Sequence, residues 1–201
     1  MLALIVLSPL LLIVALAIVI DDPSGSPIFT QVRSGLDGKE FRIHKFRSMC
    51  VDAEAKLADL KRSTEMNGPI FKQKDDPRIT RVGHFIRKCG IDELPQLINV
   101  LKSDMSIVGP RPEMLENVEK YTDDLPEFRY RLRAKAGLTG LAQIYGKYNT
   151  SPRDKLIMDL AYIQQYSVWL DLKLILRTAL VLLTPEESTE AFEDKKTEEK
   201  P

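Results

Sequence analysis

The sequence has few of the side chains that usually bind zinc. Only two cysteines and two histidines occur among its 201 residues. None of the four lies in a CxxC motif or in a cluster of cysteine and histidine. A zinc site is therefore not expected, and the two free thiols favour a reducing compartment.

The chain also lacks net charge, because 29 basic residues balance 29 acidic ones. The charges are unevenly distributed: residues 31–91 carry fourteen basic and eight acidic side chains, and the stretch from residue 185 carries seven acidic and three basic. A basic middle region suits nucleic acid, anionic lipid or phosphorylated small molecules. Nucleic acid binding would not explain the apolar segments near the two ends, so nucleic acid is not expected as a partner.

A long apolar run opens the sequence. Residues 2–20 are apolar apart from Ser8 and Pro9, and as a helix they would span roughly 28 Å, close to the thickness of a bilayer core. A secretory signal is the main alternative, but there is no basic stretch before the run and no A-x-A cleavage pattern after it. A buried core helix is rarely apolar on all sides. The run therefore predicts membrane association, and the basic residues that follow favour a cytoplasmic body.

Ser8 and Pro9 are expected to kink this helix, because proline cannot donate a backbone hydrogen bond. In lipid the carbonyl that Pro9 leaves unbonded needs another donor, and the Ser8 hydroxyl is a local candidate. A kink here would let the segment enter and leave on one face as a re-entrant helix. The pattern alone leaves a straight or mildly bent span open.

The rest of the sequence predicts short helices and a small amount of strand. Residues 28–49 are typical of a β-hairpin around the turn sequence GLDG. A helix is expected at about 80–89, capped by Thr80 or by the Asp-Pro pair before it and ended by Gly90. The other expected elements are a charged helix at 51–62, a loop at 66–79, a short helix in ELPQLINVLKS, a helix at about 113–121, loop and strand at 137–150, and a helix at 152–166.

Residues 167–183 are apolar with charges interspersed and contain Trp169, which is typical of an amphipathic helix in a membrane interface. An ordinary buried helix is the alternative. The predicted fold class is α+β, mainly helical, with a re-entrant membrane helix at 1–20 and a small β-hairpin. The amphipathic helices would surround a cytoplasmic catalytic domain at 21–184, and the charged tail at 185–201 is expected to be disordered.

The stretch GIDELPQL, residues 90–97, places Asp92 beside Glu93 at an expected helix start. An aspartate can attack phosphorus as a nucleophile, and a neighbouring carboxylate can hold Mg²⁺. An isolated Asp-Glu pair is more often a helix cap, so the pair alone does not establish catalysis. Phosphate chemistry here would need nearby cations, and the sequence offers Lys45, Arg47, Arg78, Arg81, Arg87 and Arg111.

Several motifs in order resemble the bacterial sugar transferase family, the monotopic polyprenyl-phosphate phosphoglycosyl transferases. They are SPLLLIVALAI, PIFTQVRSGLDGKEFRIHKFRSM, DPRITRVGHFIRKCGIDELPQLINVLKSDMSIVGPRPE and AGLTGLAQIYG. The resemblance implies transfer of a sugar-1-phosphate from a UDP-sugar to a polyprenyl phosphate with Mg²⁺, the first membrane step of capsule or exopolysaccharide assembly. It also implies membrane lipids as surroundings and the cytoplasmic face of the bacterial inner membrane as the location.

The resemblance also assigns roles by position. Asp92 would be the nucleophile that forms an aspartyl-phosphosugar in a ping-pong reaction, and Glu93 would bind the metal. The residues it implies for substrate binding are Arg78 for phosphate, Pro110, Arg111 and Pro112 for the nucleotide, and Asp159 near the site. From the cations named above, Lys45 and Arg47 are also expected to bind substrate. Ser8 and Pro9 match the membrane kink of the family.

Two departures from the family pattern concern the start of the chain. Small members carry basic residues before the apolar run, and larger ones carry a multi-helix membrane region there. The sequence is thus expected to be either a natural short form or the catalytic domain of a longer protein. A non-catalytic membrane-surface scaffold and a glycosyltransferase that moves the sugar alone stay open as alternatives. The sugar, the pathway and the assembly, a homodimer included, stay open too.

Overall fold

The computed structural model of the chain describes residues 2–56, 76–146 and 150–183, with the backbone alone for residues 2, 3 and 183. Contacts divide the chain into two compact units. The first contains residues 1–30 and 44–95, and the second contains residues 31–43 and 96–201. The predicted catalytic domain at 21–184 therefore includes parts of both units.

The first unit contains the long apolar helix α1 (Leu2–Asp21) and the short helix α2 (Arg81–Lys88). One face of α1 is buried against α2 and the end of the strand Glu40–Phe46, in a cluster of apolar side chains: Val14, Ile18, Phe46 and Ile86. The rest of α1 is largely exposed, and its window Leu4–Asp21 has the length and composition needed to cross a membrane.

Helix α1 continues through Ser8 and Pro9 without a break. The Ser8 hydroxyl donates to the carbonyl of Ile5 at 2.8 Å. This is the carbonyl that lies four residues before Pro9 and loses its backbone donor there. The predicted partner of the freed carbonyl is thus confirmed, whereas the re-entrant path through a membrane stays a prediction.

The predicted β-hairpin is confirmed. Strands β1 (Ile28–Ser34) and β2 (Glu40–Phe46) pair, and a single 3-10 turn (Leu36–Gly38) joins them. Asp37 and Gly38 both adopt positive φ angles, of 53° and 77°, which aspartate and glycine tolerate better than most residues. The GLDG sequence therefore forms the turn because of these two residues.

Helix α2 and the segment after it differ in how well they were predicted. The Thr80 side chain accepts from the Gly83 amide as the expected cap, and Gly90 ends the turn with a φ of 64°. The single helix expected in ELPQLINVLKS is wrong in part: a 3-10 helix (Ile91–Gln96) precedes helix α3 (Leu97–Leu101). Pro95 has no amide to donate to an α-helical ladder, which favours the tighter turns around it.

The second unit is mainly helical around one pair of short strands. After α3 its elements are β3 (Ser106–Val108), α4 (Leu115–Asp124), a 3-10 helix (Pro126–Arg133), β4 (Gly137–Thr139), α5 (Leu141–Tyr145), α6 (Pro152–Gln165) and α7 (Val168–Leu183). Strands β3 and β4 are parallel, with Ser106 opposite Gly137 and Val108 opposite Thr139. The helices expected at 113–121, 152–166 and 167–183 are confirmed, whereas α5 and the second 3-10 helix were not predicted.

Among the described residues of the second unit, the buried apolar side chains form three small clusters. They contain Ile43, Met105 and Ala136; Val108, Tyr162 and Leu174; and Tyr121, Phe128 and Leu156. The rings of Tyr121 and Phe128 meet edge to face with centroids 5.0 Å apart. The second cluster packs α6 and α7 against the end of β3. The described residues are mainly helical with two small sheets, which confirms the predicted α+β, mainly helical class.

Some predictions fall on residues that the structure does not describe. Residues 53–56 are helical, as expected for the charged helix at 51–62. The rest of that helix, most of the loop at 66–79 and the tail at 185–201 lie outside the described residues.

Candidate active site

Asp92 and Glu93 lie in the first turn of the 3-10 helix Ile91–Gln96, directly after Gly90. Both residues are of intermediate exposure. The Glu93 amide donates to the Gly90 carbonyl at 3.3 Å, so the positive φ of Gly90 sets the start of this turn. The two adjacent carboxylates are thus held on a short, tight turn that solvent can reach.

Lys45 is the cation that the first unit brings to this turn. Its Nζ lies 2.9 Å from Oε1 of Glu93, with about a fifth of each side chain exposed. Strand β2 positions it, because the neighbouring Phe46 and the nearby Ile43 are buried and anchor the strand. The structure therefore brings together three of the predicted site residues, which are Lys45, Asp92 and Glu93.

Arg47, the next predicted cation on this stretch, contacts the turn after α1 instead. It is 7% exposed, its Nη1 lies 2.7 Å from Oδ2 of Asp22, and its other nitrogen binds the carbonyls of Asp22 and Gly25. The hydroxyl and amide of Ser24 and, to a smaller degree, the Arg47 guanidinium hold the pKa of Asp22 below its ordinary value. Arg47 therefore joins the end of the membrane-helix candidate to the strand.

Arg78 forms an ion pair within the DPR sequence itself. Its Nη2 and Nε lie 2.6 and 2.8 Å from the two carboxylate oxygens of Asp76, and both residues are buried. The Arg78 side chain holds the pKa of Asp76 below its ordinary value. The Arg78 carbonyl also accepts from the Cys50 amide. A role in phosphate binding stays a prediction, and the observed contacts of Arg78 are structural ones.

In the second unit, Pro110, Arg111 and Pro112 form an extended segment whose backbone is held from several sides. Both prolines are buried and Arg111 is exposed. The carbonyls of residues 110–113 all accept hydrogen bonds. The Gly137 amide donates to residue 110 at 2.9 Å, and Arg131 donates to residue 111 at 2.9 Å. Arg33 donates to residue 112 at 3.4 Å, and the Ser34 amide donates to residue 113 at 3.0 Å. The exposed Arg111 side chain therefore extends from a backbone that several hydrogen bonds hold in place.

Asp159 lies in the interior of the second unit. It is 2% exposed, and its Oδ2 lies 2.8 Å from both Nε and Nη2 of Arg131, which is 3% exposed. Burial raises the pKa of Asp159 above its ordinary value, and the Arg131 guanidinium opposes that rise. Direct contact of Asp159 with a substrate stays a prediction, and its observed partner is Arg131.

Arg131 is the site residue that the sequence analysis missed. It connects Asp159, the carbonyl of Arg111 and, at 4.0 Å, the Glu113 carboxylate, and it stacks on the Phe128 ring. In the sequence it stands in RYRLR among other arginines, and nothing local distinguishes it from the exposed Arg133. Only the burial of Arg131 against α6 distinguishes the two arginines.

The donor set fits Mg²⁺ better than a metal that needs a closed protein cage. Within residues 2–56, 76–146 and 150–183 no group of three or more His, Cys, Asp or Glu side chains could hold a metal ion. Magnesium is usually held by one or two carboxylates together with substrate phosphates and waters. Glu93 and Asp92 supply two adjacent carboxylates of partial exposure, which suits that mode of binding.

Comparison with known proteins identifies relatives along nearly the whole chain. A family model described as bacterial sugar transferase matches residues 1–185. The chain is 49% identical over 160 residues to the galactosyl transferase CpsE of Streptococcus agalactiae serotype III, covering 79% of the chain and 35% of that protein.

Two further relatives are named for the reaction they catalyse. The UDP-glucose:undecaprenyl-phosphate glucose-1-phosphate transferase of Caulobacter vibrioides is 43% identical over 183 residues, which is 88% of the chain and 64% of that protein. The undecaprenyl-phosphate galactose phosphotransferase of Salmonella typhimurium is 41% identical over 188 residues, which is 90% of the chain and 38% of that protein. The chain thus spans between about a third and two thirds of the length of these curated relatives.

Proposed function

The chain belongs to the bacterial sugar transferase family, and from that premise we propose that it transfers a sugar-1-phosphate from a UDP-sugar to undecaprenyl phosphate and releases UMP. Relatives from Caulobacter vibrioides and Salmonella typhimurium support this by their names, which give undecaprenyl phosphate as the acceptor of a sugar phosphate. The observation that carries the proposal is the half-buried Asp92–Glu93 pair with Lys45 2.9 Å from Glu93.

In the first half-reaction, a carboxylate oxygen of Asp92 attacks the phosphorus that carries the sugar. The bond from this phosphorus to the oxygen bridging to UMP breaks, and UMP leaves with the electron pair. The product on the protein is a sugar phosphate joined to Asp92 as an acyl phosphate. The nucleophile needs no base, because an aspartate is already ionised near neutral pH.

In the second half-reaction, an oxygen of undecaprenyl phosphate attacks the same phosphorus. The bond to Asp92 breaks, the carboxylate is restored, and the product is a polyprenyl diphosphate that carries the sugar. The lipid phosphate is largely ionised near neutral pH, so this step also needs no general base. Each anionic substrate then uses the same carboxylate in turn, which avoids holding both phosphates at once.

Cations are needed because a carboxylate and a diphosphate repel each other. Lys45 lies beside Glu93, and it can bind an oxygen of the diphosphate while it holds Glu93 in place. Glu93 is the group that would hold Mg²⁺, beside the nucleophile Asp92. Bound there, Mg²⁺ would neutralise phosphate charge and stabilise the leaving UMP. Arg111, exposed on its rigid segment, is assigned to the nucleotide.

The apolar helix α1 suits this reaction, because one substrate is anchored in lipid. We assign the catalytic body to the cytoplasmic face of the inner membrane, where UDP-sugars are available and where the basic residues after α1 favour retention. We also propose that α1 enters and leaves the membrane on the same face, with a kink at Ser8 and Pro9.

The decisive experiment measures nucleotide release by the full chain in lipid nanodiscs with Mg²⁺, undecaprenyl phosphate and a panel of UDP-sugars. We expect UMP release with one sugar. Asp92→Asn should lower the rate at least about 1,000-fold, since it removes the nucleophile. Asp124→Asn, an exposed aspartate at the end of α4, is the matched control and should keep the rate.

Incubation with the UDP-sugar alone tests the covalent step. The wild-type chain should gain the mass of one sugar phosphate and release one equivalent of UMP, and Asp92→Asn should do neither. Release of UDP in place of UMP would identify a transferase of the sugar alone. A wild-type chain that releases no nucleotide with any sugar of the panel would contradict the proposal and favour a non-catalytic scaffold.

A further inference from the structure

The backbone of residues 110–112 is restricted at each position. Proline fixes its own φ, and the residue before a proline is confined to extended conformations. Arg111 precedes Pro112, so its backbone is restricted as well, and a buried side chain holds its carbonyl in place. Nη2 of Arg131 donates to that carbonyl at 2.9 Å.

Arg131 is itself held firmly. Its Nε and Nη2 both lie 2.8 Å from Oδ2 of Asp159, and its guanidinium lies 4.9 Å from the centre of the Phe128 ring. Nη2 therefore contacts Asp159 and the Arg111 carbonyl together. Only the planar fork of an arginine supplies several donors in such a fixed arrangement, and a lysine has one nitrogen for the same task.

A buried ion pair usually contributes little net stability to a core. Taking both charges out of water is strongly unfavourable, and apolar side chains of similar volume often give equal or greater stability. The Arg131–Asp159 pair lies in such a setting, next to the apolar cluster of Tyr121, Phe128 and Leu156. Its distinguishing contact is the one to the 110–112 segment.

We propose that Arg131 is a positioning residue for nucleotide binding: held by Asp159, it fixes the Arg111 carbonyl and with it the direction in which the Arg111 side chain leaves its segment. This inference rests on the proposed function, in which Arg111 contacts the nucleotide. It gives Asp159 the role of counter-ion to Arg131 rather than that of a substrate ligand.

The test uses Arg131→Lys in the full chain in nanodiscs, with UMP as the probe. Lysine keeps the charge beside Asp159 but cannot also hold the Arg111 carbonyl in the same geometry. We expect the dissociation constant of UMP to rise about tenfold, as for the loss of one hydrogen bond from a charged group. Arg133→Lys is the matched control, because it makes the same change at an exposed arginine of the same 3-10 helix, and it should leave UMP binding unchanged.

A double-mutant cycle separates positioning from general stability. Arg131 acts through Arg111, so Arg131→Lys should have almost no effect on UMP binding in a chain that already carries Arg111→Ala. An equal loss of UMP affinity with and without Arg111 would overturn the inference. So would an unchanged UMP affinity in Arg131→Lys, whatever happens to its melting temperature.

Asp159→Asn covers the case in which Arg131→Lys does not fold. Asparagine keeps the shape and one acceptor oxygen for Arg131 but removes the counter-charge, and we expect weaker UMP binding that again depends on Arg111. Retention of full UMP affinity by Asp159→Asn would contradict the inference. A wild-type chain that binds no UMP would instead contradict the proposed function, so the two failures are distinguishable.

Discussion

Three buried arginines illustrate how charge is used in this protein. Arg47, Arg78 and Arg131 are each less than 10% exposed. Each lies within hydrogen-bond distance of a carboxylate, of Asp22, Asp76 and Asp159 respectively. A buried charge without a partner is strongly unfavourable, so burial and pairing occur together. These arginines organise the chain, whereas the exposed Arg111 and the partly exposed Lys45 are better placed to meet a substrate.

The Asp76–Arg78 pair predicts a specific dependence of stability on pH. Because Arg78 holds the pKa of Asp76 below the ordinary 3.8, the ionised carboxylate is favoured by folding. Its contribution is complete above pH 3.8 and is lost as the pH falls through the lower pKa of the folded state. Asp76→Asn should lower the free energy of unfolding by up to about 3 kcal/mol at pH 7, and the difference from wild type should shrink below about pH 4.

Thermal unfolding in detergent between pH 3 and 7 measures this difference. Asp52→Asn is the control, because Asp52 pairs with Lys56 on the surface and its side chain is 59% exposed. It should leave the free energy of unfolding nearly unchanged, because an exposed ion pair contributes little to stability. A wild-type advantage over Asp76→Asn that stays constant down to pH 3 would contradict the assignment.

At the scale of elements, α2 connects the membrane-helix candidate to the turn with Asp92 and Glu93. Asp21, the last residue of α1, accepts from the Val82 amide at 2.9 Å, and Thr80 accepts from the Gly83 amide. The first turn of α2 is thus capped by two side chains, one of them from α1. Helix α2 ends at Lys88, two residues before Gly90. Its placement therefore determines where the turn with the candidate nucleophile begins.

Replacement of Gly83, a glycine inside helix α2, is expected to have an unusual effect on stability. Alanine normally favours a helix over glycine by about 1 kcal/mol. Here a Cβ atom at Gly83 would overlap the carbonyl oxygen of Ser48, a backbone atom that cannot easily move. Gly83→Ala should therefore lower the free energy of unfolding, by about 1–3 kcal/mol.

The measurement is thermal unfolding together with hydrogen exchange of the α2 amides, which should become faster in Gly83→Ala. His84→Ala is the control, since His84 is exposed on the same helix, and it should shift stability by less than about 0.5 kcal/mol. Higher stability of Gly83→Ala would show that α2 does not approach residue 48 as closely as the structure has it.

At the scale of the whole molecule, each unit carries one helix with a broad apolar outer face. On α1 the exposed apolar residues include Ile5, Leu12, Ile13 and Ile20. On α7 they include Trp169, Leu172, Leu176 and Leu180, while Leu174 is buried beneath them. Exposed apolar faces of this extent are typical of contact with a membrane or a partner, and the interfacial role of α7 stays a prediction.

Trp169 makes the prediction for α7 measurable, because it is the single tryptophan of the chain and is 82% exposed. If α7 lies in the membrane interface, Trp169 fluorescence in nanodiscs should shift to the blue and should be quenched by brominated lipid. Water-soluble iodide should quench it weakly. Strong quenching by iodide and none by brominated lipid would place α7 in water.

Much of this protein follows from local sequence. The apolar run, the GLDG turn, the Thr80 cap and the stop at Gly90 are short-range features, so α1, α2 and the hairpin were predicted from them. The division of the Asp92 region into a 3-10 and an α-helical part was missed. It depends on how the Pro95 ring and a positive φ at Gly90 are accommodated together.

The sequence by itself determined the membrane-helix candidate, the main helices and the Asp92–Glu93 pair, because hydrophobic runs, caps and motifs are contiguous in the chain. Only the tertiary structure decided which cations meet which carboxylates. Lys45 reaches Glu93 across 48 positions and Arg131 reaches Asp159 across 28, and such partners depend on packing between distant elements. Burial then separates Arg131 from the exposed Arg133 two residues away, a distinction that residue type cannot make.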